Sequence, residues 1–177
     1  LNGAGKTSLL RILAGQTTAN LGHFEWGHRV EAGYFAQEHD LLDPSASLLD
    51  HMRRDLPSGS TLTETDLRGL LGMFGLQGEK VFQESGSLSG GEKTKLALAM
   101  LMTGRNNVLL LDEPTNNLDP QSRDAVAEAL EGWKGSIIMV SHDTEFVRRL
   151  SPTKVLLMPD GQVDYFSDDW LELVSLA

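Results

Sequence analysis

The chain has 177 residues, of which 40% are hydrophobic and 23% are charged, with no cysteine and a formal net charge of −10. This composition is ordinary for one globular domain. It excludes disulfides and cysteine-liganded zinc or iron–sulfur sites, argues against a broad nucleic-acid-binding face on this domain itself, and contains no apolar run of the roughly 18 residues that would predict membrane insertion.

A glycine-rich loop opens the chain. Residues 1–8 carry the last seven positions of the phosphate-binding pattern G-x-x-x-x-G-K-[ST], so the first glycine would precede the chain and we expect a fragment. Gly3 and Gly5 let backbone N–H groups curl around phosphate oxygens. Lys6 supplies a positive charge, and the Thr7 hydroxyl can bind Mg²⁺. The following residues have helical spacing, which puts the phosphate at a helix N-terminus; a glycine-rich turn before an ordinary amphipathic helix is the alternative.

The next segment has a strand pattern. Residues 23–26 and 29–35 flank a Gly-His pair, and we predict that they form an antiparallel hairpin. The hairpin leads to Gln37. This residue would by itself be an ordinary loop glutamine, and it gains a role only from the motifs downstream.

Residues 38–103 differ in character from the segments on either side. Short helices are predicted between turns that contain proline and glycine, and no strand pattern occurs. We therefore predict a helical subdomain at about 38–103. It would be inserted into an α/β core formed by about 1–37 and 104–177.

A Ser-Gly-Gly-Glu sequence opens the last helix of this subdomain. Ser89 is a favourable N-cap, and Gly90 and Gly91 leave backbone amides open at the start of the helix. The sequence therefore predicts a second anion-binding helix N-terminus. A capped core helix without a ligand explains the same residues and stays open as the alternative.

The central feature of the chain is an apolar run at 108–111, which predicts a strand buried on both faces of a parallel sheet. Asp112 and Glu113 follow at its carboxyl end, where open α/β sheets bind their ligands. Two adjacent carboxylates beside a dry sheet are costly unless a cation accompanies them. We therefore expect this strand end to face the phosphate and the Mg²⁺ of the opening loop.

The following helix and strand return to the same edge of the sheet. Asp119 and Pro120 have the residue types of a helix N-cap and first helical position. A buried strand is predicted at 136–140, and His142 follows at its carboxyl end. Such a histidine is more often an ordinary hydrogen-bonding loop residue, but next to a Mg²⁺–phosphate site it is a candidate γ-phosphate contact.

The end of the chain predicts a hairpin at 154–166, around an Asp-Gly turn, and an amphipathic helix at 168–176. The complete pattern predicts an α/β P-loop NTPase fold. Its parts are a mostly parallel central sheet, a small antiparallel β subdomain and the inserted helical subdomain.

Taken in chain order, these motifs resemble the nucleotide-binding domain of the ATP-binding-cassette (ABC) superfamily over essentially the whole chain. The matching motifs are Walker A at 2–8, the Q-loop glutamine Gln37, the signature at 88–92, Walker B with the catalytic glutamate at 108–113, the D-loop at 117–119 and the switch histidine His142. Six motifs in this order are very hard to obtain by chance.

The finer resemblance is to the ABC-F branch, whose members are soluble, carry two cassettes in tandem and act on the ribosome as translation factors or resistance proteins. It rests on Glu92 and Lys93 after the signature glycines, on the Glu-Pro-Thr-Asn-Asn-Leu-Asp run and on Ser-His-Asp-x-x-Phe. Asn117 and Thr144 depart from the commonest ABC-F form, which has His and Arg there. Residues 164–173 look like the end of a second, C-terminal cassette.

The resemblance implies ATP and Mg²⁺ as ligands, a second cassette in the same full-length protein as partner, and a cytoplasmic location. It also implies contact with the ribosome or its RNA through elements outside this fragment. The implied ATP-binding residues are Asn2, Gly3, Ala4, Gly5, Lys6, Thr7 and Ser8. The implied Mg²⁺ ligands are Thr7, Gln37 and Asp112, and the implied catalytic residues are Glu113, His142 and Gln37. The residues implied to act across a cassette pair are Ser89, Gly90, Gly91 and Glu92, which would contact the partner's nucleotide, and Asp119, which would link the two sites.

Three other functions fit parts of the sequence. An ABC transporter's ATPase subunit more often has Gln-Gln-Arg where this chain has Glu92, Lys93 and Thr94. A DNA-repair or chromosome ATPase would have a long heptad insertion or zinc-binding cysteines, and both are missing from these residues. A cassette that only binds nucleotide is disfavoured because Glu113 and His142 are retained.

Overall fold

A computed structural model of the chain describes residues 3–36 and 42–175. The helices are α1 (Lys6–Leu13), α2 (Leu48–Arg54), α3 (Glu64–Met73), α4 (Gly90–Thr103), α5 (Pro120–Glu131), α6 (Thr144–Leu150) and α7 (Trp170–Ser175), with two short 3-10 helices at Gly78–Phe82 and Ser85–Ser87. The strands are β1 (Ala32–Phe35), β2 (Val108–Asp112), β3 (Ser136–Val140), β4 (Lys154–Leu157) and β5 (Gln162–Tyr165).

The strands form two sheets. β1, β2 and β3 pair in parallel, in that order, and β4 and β5 form a separate antiparallel pair around the predicted Asp-Gly turn. This arrangement confirms the predicted α/β architecture with a parallel central sheet and a small antiparallel sheet.

β2 lies at the centre of the parallel sheet and is buried along its whole length. Its side chains alternate between two faces, as a strand requires. Leu109 and Leu111 pack in the large core that includes the helices between β1 and β2, whereas Val108 and Leu110 pack with Leu10 of α1 on the other face. The apolar run at 108–111 is therefore the buried central strand that the sequence predicts.

Two strand predictions were wrong. No hairpin forms at 23–35, because β1 pairs in parallel with β2 and residues 23–26 are not a strand. Trp26 of this segment instead donates from Nε1 to the carbonyl of Leu13 at the end of α1, over 3.2 Å. The second error is the burial of β3: Ile138 is 39% exposed, because β3 is an edge of the described parallel sheet.

The described part of the segment between β1 and β2, residues 42–107, is helical, and the bounds of about 38–103 for the inserted subdomain stay a prediction. α2 begins at Ser47, whose side chain accepts from the Asp50 N–H, and α3 begins with a capping box between Thr63 and Asp66. The buried side chains that hold these helices together are Leu48, Leu49, Met52, Leu67, Leu71, Phe74, Leu76 and Leu96. None of the described helices has the length and apolarity needed to cross a bilayer.

Candidate nucleotide-binding site

The carboxyl edge of the parallel sheet borders a cavity of about 410 Å³. Its lining consists of Gly3, Ala4, Gly5, Lys6, Thr7, Ser8, Asp112, Glu113, Asn116, Val140 and His142. The structure therefore brings together the opening loop, the two carboxylates after β2 and the histidine after β3. Sequence reasoning missed Asn116 and Val140, which line the cavity from the turn after Glu113 and from the end of β3.

The opening loop presents the N-terminus of α1 to this cavity. Gly3 and Gly5 have φ values of 76° and 87°, a left-handed conformation that glycine adopts without strain. Gly5 is the N-cap residue, so no side chain caps the helix, and the first turn contains no acidic residue. Neither a capping side chain nor an acidic residue therefore occupies the start of α1, and the helix dipole favours an anion there.

Asp112 connects this loop to β2. The Thr7 hydroxyl donates to Asp112 Oδ1 over 3.2 Å. Asp112 is the last residue of β2 and is only 8% exposed. The Tyr34 hydroxyl of β1 approaches Asp112 Oδ2 at 3.4 Å. Burial raises the pKa of Tyr34, and the negative charge of Asp112 contributes to the rise, so the hydroxyl stays a donor. Sequence reasoning missed Tyr34, because nothing in the pattern of its strand distinguishes it from the neighbouring residues.

Glu113 and His142 face each other at the edge of the cavity. The His142 backbone N–H donates to Glu113 Oε2 over 3.2 Å, and His142 Nε2 lies 3.1 Å from Glu113 Oε1. Oε1 is buried and forms no hydrogen bond, although the imidazole lies beside it. Glu113 also has a φ of 51°, which is uncommon for a residue with a side chain and is typical of functional sites. This carboxylate therefore keeps an acceptor oxygen that no hydrogen bond uses in this structure.

The donor set at this edge fits Mg²⁺. Thr7 and Asp112 offer a hydroxyl and a carboxylate oxygen side by side, and Glu113 lines the same cavity. Among the described residues, no group of three or more His, Cys, Asp or Glu side chains could hold a metal ion alone. Mg²⁺ suits such a site, because it is usually bound by one or two protein oxygens together with water and substrate phosphates. Gln37 and Asn2, also predicted for this site, lie outside the described residues.

The signature residues do not line this cavity. The Ser89 side chain accepts from the Glu92 N–H over 3.3 Å, and Glu92 Oε2 accepts from the Ser89 N–H over 2.9 Å, a capping box at the start of α4. Glu92 also forms an ion pair with Lys80, and these contacts, that with Lys80 above all, lower the pKa of Glu92. The predicted contact of the signature residues with a second cassette's nucleotide stays a prediction.

Asp119 also acts as a cap within this chain. Its carboxylate accepts from the backbone N–H of Ser122 over 3.0 Å and from its hydroxyl over 2.6 Å. The hydroxyl contact is the main cause that lowers the pKa of Asp119. Asp119 is not among the residues that line the cavity. Its predicted role between two sites stays a prediction.

Comparison with known proteins shows which proteins the chain is similar to. The family model described as "ABC transporter" matches residues 1–116. The chain is 43% identical over 169 residues to "Probable ATP-binding protein YheS" of Haemophilus influenzae, a match that covers 95% of this chain and 26% of that protein. It is 37% identical over 148 residues to "ATP-binding cassette sub-family F member 3" of Mus musculus, covering 83% of this chain and 20% of that protein.

A solved structure has the same fold. The complex of an archaeal ribosomal stalk protein with archaeal ribosome recycling factor matches with a TM-score of 0.68 and 25% identity, over 92% of this chain and 32% of that one. The chain spans about a quarter of the first relative, since the match covers 26% of its length. These similarities confirm the predicted fold and the resemblance to sub-family F. The chain therefore belongs to the ATP-binding-cassette family.

Proposed function

We propose that this cassette binds and hydrolyses ATP. The observation that supports the proposal most strongly is the convergence of Thr7, Asp112, Glu113 and His142 around one cavity next to an uncapped helix N-terminus. An uncapped helix start binds phosphate, paired oxygens hold a cation, and a carboxylate with an unpaired oxygen orients water. The residues proposed for these three functions line the same cavity, as the binding of one triphosphate requires.

The opening loop would bind the phosphates. Lys6 would supply a point charge to the β and γ phosphates, and the backbone N–H groups at the start of α1 would donate hydrogen bonds to the remaining phosphate oxygens. Thr7 and Asp112 would hold Mg²⁺, with Gln37 as a further ligand. When bound, Mg²⁺ neutralises the phosphate charge and orients the phosphates.

Glu113 would act on the attacking water. Its Oε1 is buried and has no hydrogen-bond partner, whereas Oε2 is held by the backbone N–H of His142. The held oxygen orients the carboxylate and the unpaired oxygen can accept a hydrogen bond from water. General-base assistance of this kind is typically worth about 10²–10⁴ in rate. The His142 imidazole would contact the γ-phosphate.

A second cassette would complete the site. The signature residues of this chain lie away from its own cavity, so Ser89, Gly90, Gly91 and Glu92 would contact a nucleotide held by a partner cassette. Asp119 would connect the two sites. The proposal is supported by the length of the relatives, since the chain covers only 26% of the first of them.

The test uses Glu113→Gln in the full-length protein. We expect ATP binding to be preserved and hydrolysis to slow by at least about 10²-fold, because the variant keeps the size of the side chain but cannot accept a proton. Glu128→Gln, on an exposed residue of α5, is the matched control and should hydrolyse ATP at the wild-type rate. Near-normal turnover by Glu113→Gln would contradict the proposed catalytic role.

We further propose that the full-length protein is a cytoplasmic ABC-F type ATPase that acts on the ribosome, as a translation factor or a ribosome-protection protein. The support is the similarity to a sub-family F member and to a structure that contains archaeal ribosome recycling factor. Glu113→Gln with ATP should sediment with ribosomes, and the same protein with Lys6→Ala added should not. Capture of a membrane protein without ribosome binding would favour the alternative, a transporter's ATPase subunit.

A further inference from the structure

Arg123, in the first turns of α5, connects two segments of the site. Its Nε donates to the backbone carbonyl of Leu118 over 3.2 Å, and its Nη1 donates to Asp143 Oδ2 over 3.1 Å. Leu118 belongs to the turn that follows Glu113, and Asp143 directly follows His142. A single guanidinium group therefore links the turn after the candidate general base to the residue after the switch histidine.

The turn between Glu113 and Leu118 needs such support. Glu113 and Asn117 both have positive φ values, 51° and 63°, which residues with side chains adopt only where the surroundings hold them. Within the turn, the Asn116 N–H donates to the Glu113 carbonyl over 3.1 Å and the Leu118 N–H to the Thr115 carbonyl over 3.2 Å. The contact from Arg123 ties the end of this strained turn to a regular helix.

The other end of the link determines where α6 begins. Asp143 is the N-cap of α6, and its Oδ1 accepts from the Phe146 N–H over 3.0 Å. The preceding residue, His142, donates its backbone N–H to Glu113. A displacement of Asp143 would therefore move the donor that orients the Glu113 carboxylate.

The ion pair between Arg123 and Asp143 is partly exposed, with side-chain exposures of 44% and 16%. Ion pairs of this exposure contribute little to folding stability. Their geometric effect can still be large, because a small misplacement of a catalytic group slows a reaction strongly. Sequence reasoning did not single out Arg123, which looks like any charged residue on a helix.

We propose that Arg123 is a positioning residue for ATP hydrolysis, which fixes the turn after Glu113 relative to His142 and so orients the Glu113 carboxylate. The proposal rests on the proposed ATPase function. Arginine is suited to this position because its planar group points two N–H donors in different directions, whereas lysine offers a single point charge.

The experiment compares Arg123→Gln with Arg149→Gln in the full-length protein. Arg149 of α6 contacts Asp124 over 2.9 Å and Glu131 over 2.6 Å, so it links the same two helices away from the turn. We expect Arg123→Gln to lower kcat about 10-fold with KM and ATP affinity changed by less than about twofold. Arg149→Gln should keep the wild-type kcat, and Arg123→Lys should not restore it.

A double-mutant cycle tests the route of the effect. Asp143→Asn keeps the oxygen that caps α6 but loses the charge that pairs with Arg123. We expect Asp143→Asn to lower kcat as well, and the double variant to be no slower than Arg123→Gln alone, because both changes break one link. Should Arg123→Gln fail to fold, Asp143→Asn carries the same prediction.

The proposal is overturned by a wild-type kcat in Arg123→Gln, by an equal loss in Arg149→Gln, or by losses that multiply in the double variant. Glu113→Gln is assayed in parallel to separate the two proposals. If it hydrolyses ATP normally, the ATPase proposal itself fails. If it is inactive while Arg123→Gln is normal, only the positioning role of Arg123 fails.

Discussion

Two helices of this cassette begin at glycine-rich turns, and the two beginnings differ in how their backbone amides are satisfied. α1 begins at Gly5, which has no side chain to cap it, and its first turn contains no acidic residue. α4 begins at Ser89, which forms a capping box with Glu92. The start of α1 lines the cavity next to Asp112 and Glu113, whereas the start of α4 does not.

The difference bears on the proposal that the two helix starts bind two different nucleotides. The uncapped start of α1 gives up a capping contact that is typically worth about 1 kcal/mol, and a bound phosphate would replace it. The start of α4 is already stabilised by its own side chains, with Glu92 also tied to Lys80. We therefore expect α1 to depend on ATP for its local order and α4 to be preorganised for a partner's nucleotide.

The largest expected effect is on ATP affinity, which should change with a substitution at the start of α1 but not with one at the start of α4. Lys6→Ala should weaken ATP binding at this cassette by about 10- to 100-fold, because a hydrogen-bonded charge on the phosphates is lost. Ser89→Ala should leave that site's affinity unchanged, since α4 would serve a different nucleotide. Equilibrium binding of a fluorescent ATP analogue measures both. Equal weakening by the two variants would show that α4 serves the same nucleotide as α1.

The next effect is on the free energy of unfolding, which should respond differently to substitution of Gly5 and of Gly90. Gly5 has a φ of 87°, so Gly5→Ala should lower the free energy of unfolding by about 1–2 kcal/mol through backbone strain. Gly90 has no left-handed φ, and a Cβ there meets nothing within 4 Å. Gly90→Ala should therefore be neutral or stabilising by up to about 1 kcal/mol. Urea denaturation measures both changes, and equal losses would contradict the conformational difference.

A smaller effect tests the cap of α4. Ser89→Ala should lower the free energy of unfolding by about 1 kcal/mol, because the Glu92 N–H loses its acceptor. Ser89→Thr is the matched control, since it keeps a hydroxyl and should lose little stability. The two variants are compared by urea denaturation, and an unchanged stability of Ser89→Ala would mean that the capping box contributes nothing.

The smallest effect is a pH dependence. Because the pKa of Glu92 is lowered in the folded protein from its ordinary 4.5, its stabilising contribution is complete above that pH and is lost as the pH falls through the lower folded pKa. Glu92→Gln should remove this dependence. The free energy of unfolding of the two proteins should therefore converge in acid. Curves that stay parallel down to about pH 3 would contradict the capping role of the charged form.

The parts of the site that depend on a local sequence pattern, such as an apolar strand or a glycine-rich loop, could be predicted from the sequence. The apolar run at 108–111 has one stable location, the middle of a sheet, and the carboxyl ends of parallel strands share an edge. Asp112, Glu113 and His142 were therefore expected together, and the structure places them around one cavity. The glycine pattern likewise predicted the open start of α1.

Other features depend on contacts between segments that are distant in the sequence. Alternation at 29–35 indicates a strand but cannot identify its neighbour, so β1 was paired with the wrong segment. Tyr34 gains its contact with Asp112 from that unpredicted parallel pairing. Arg123 gains its contacts with Leu118 and Asp143 from the packing of α5 against α6, which no local pattern encodes. Gln37 lies outside the described residues and stays a prediction.

The most direct test of the central claim is the structure of the full-length Glu113→Gln protein with ATP and Mg²⁺. We predict a triphosphate at the start of α1, with its γ-phosphate between Lys6 and residue 113, Mg²⁺ beside Thr7 and Asp112, and the signature turn of a second cassette on its other side. A triphosphate bound away from Lys6 and Asp112 would contradict the account.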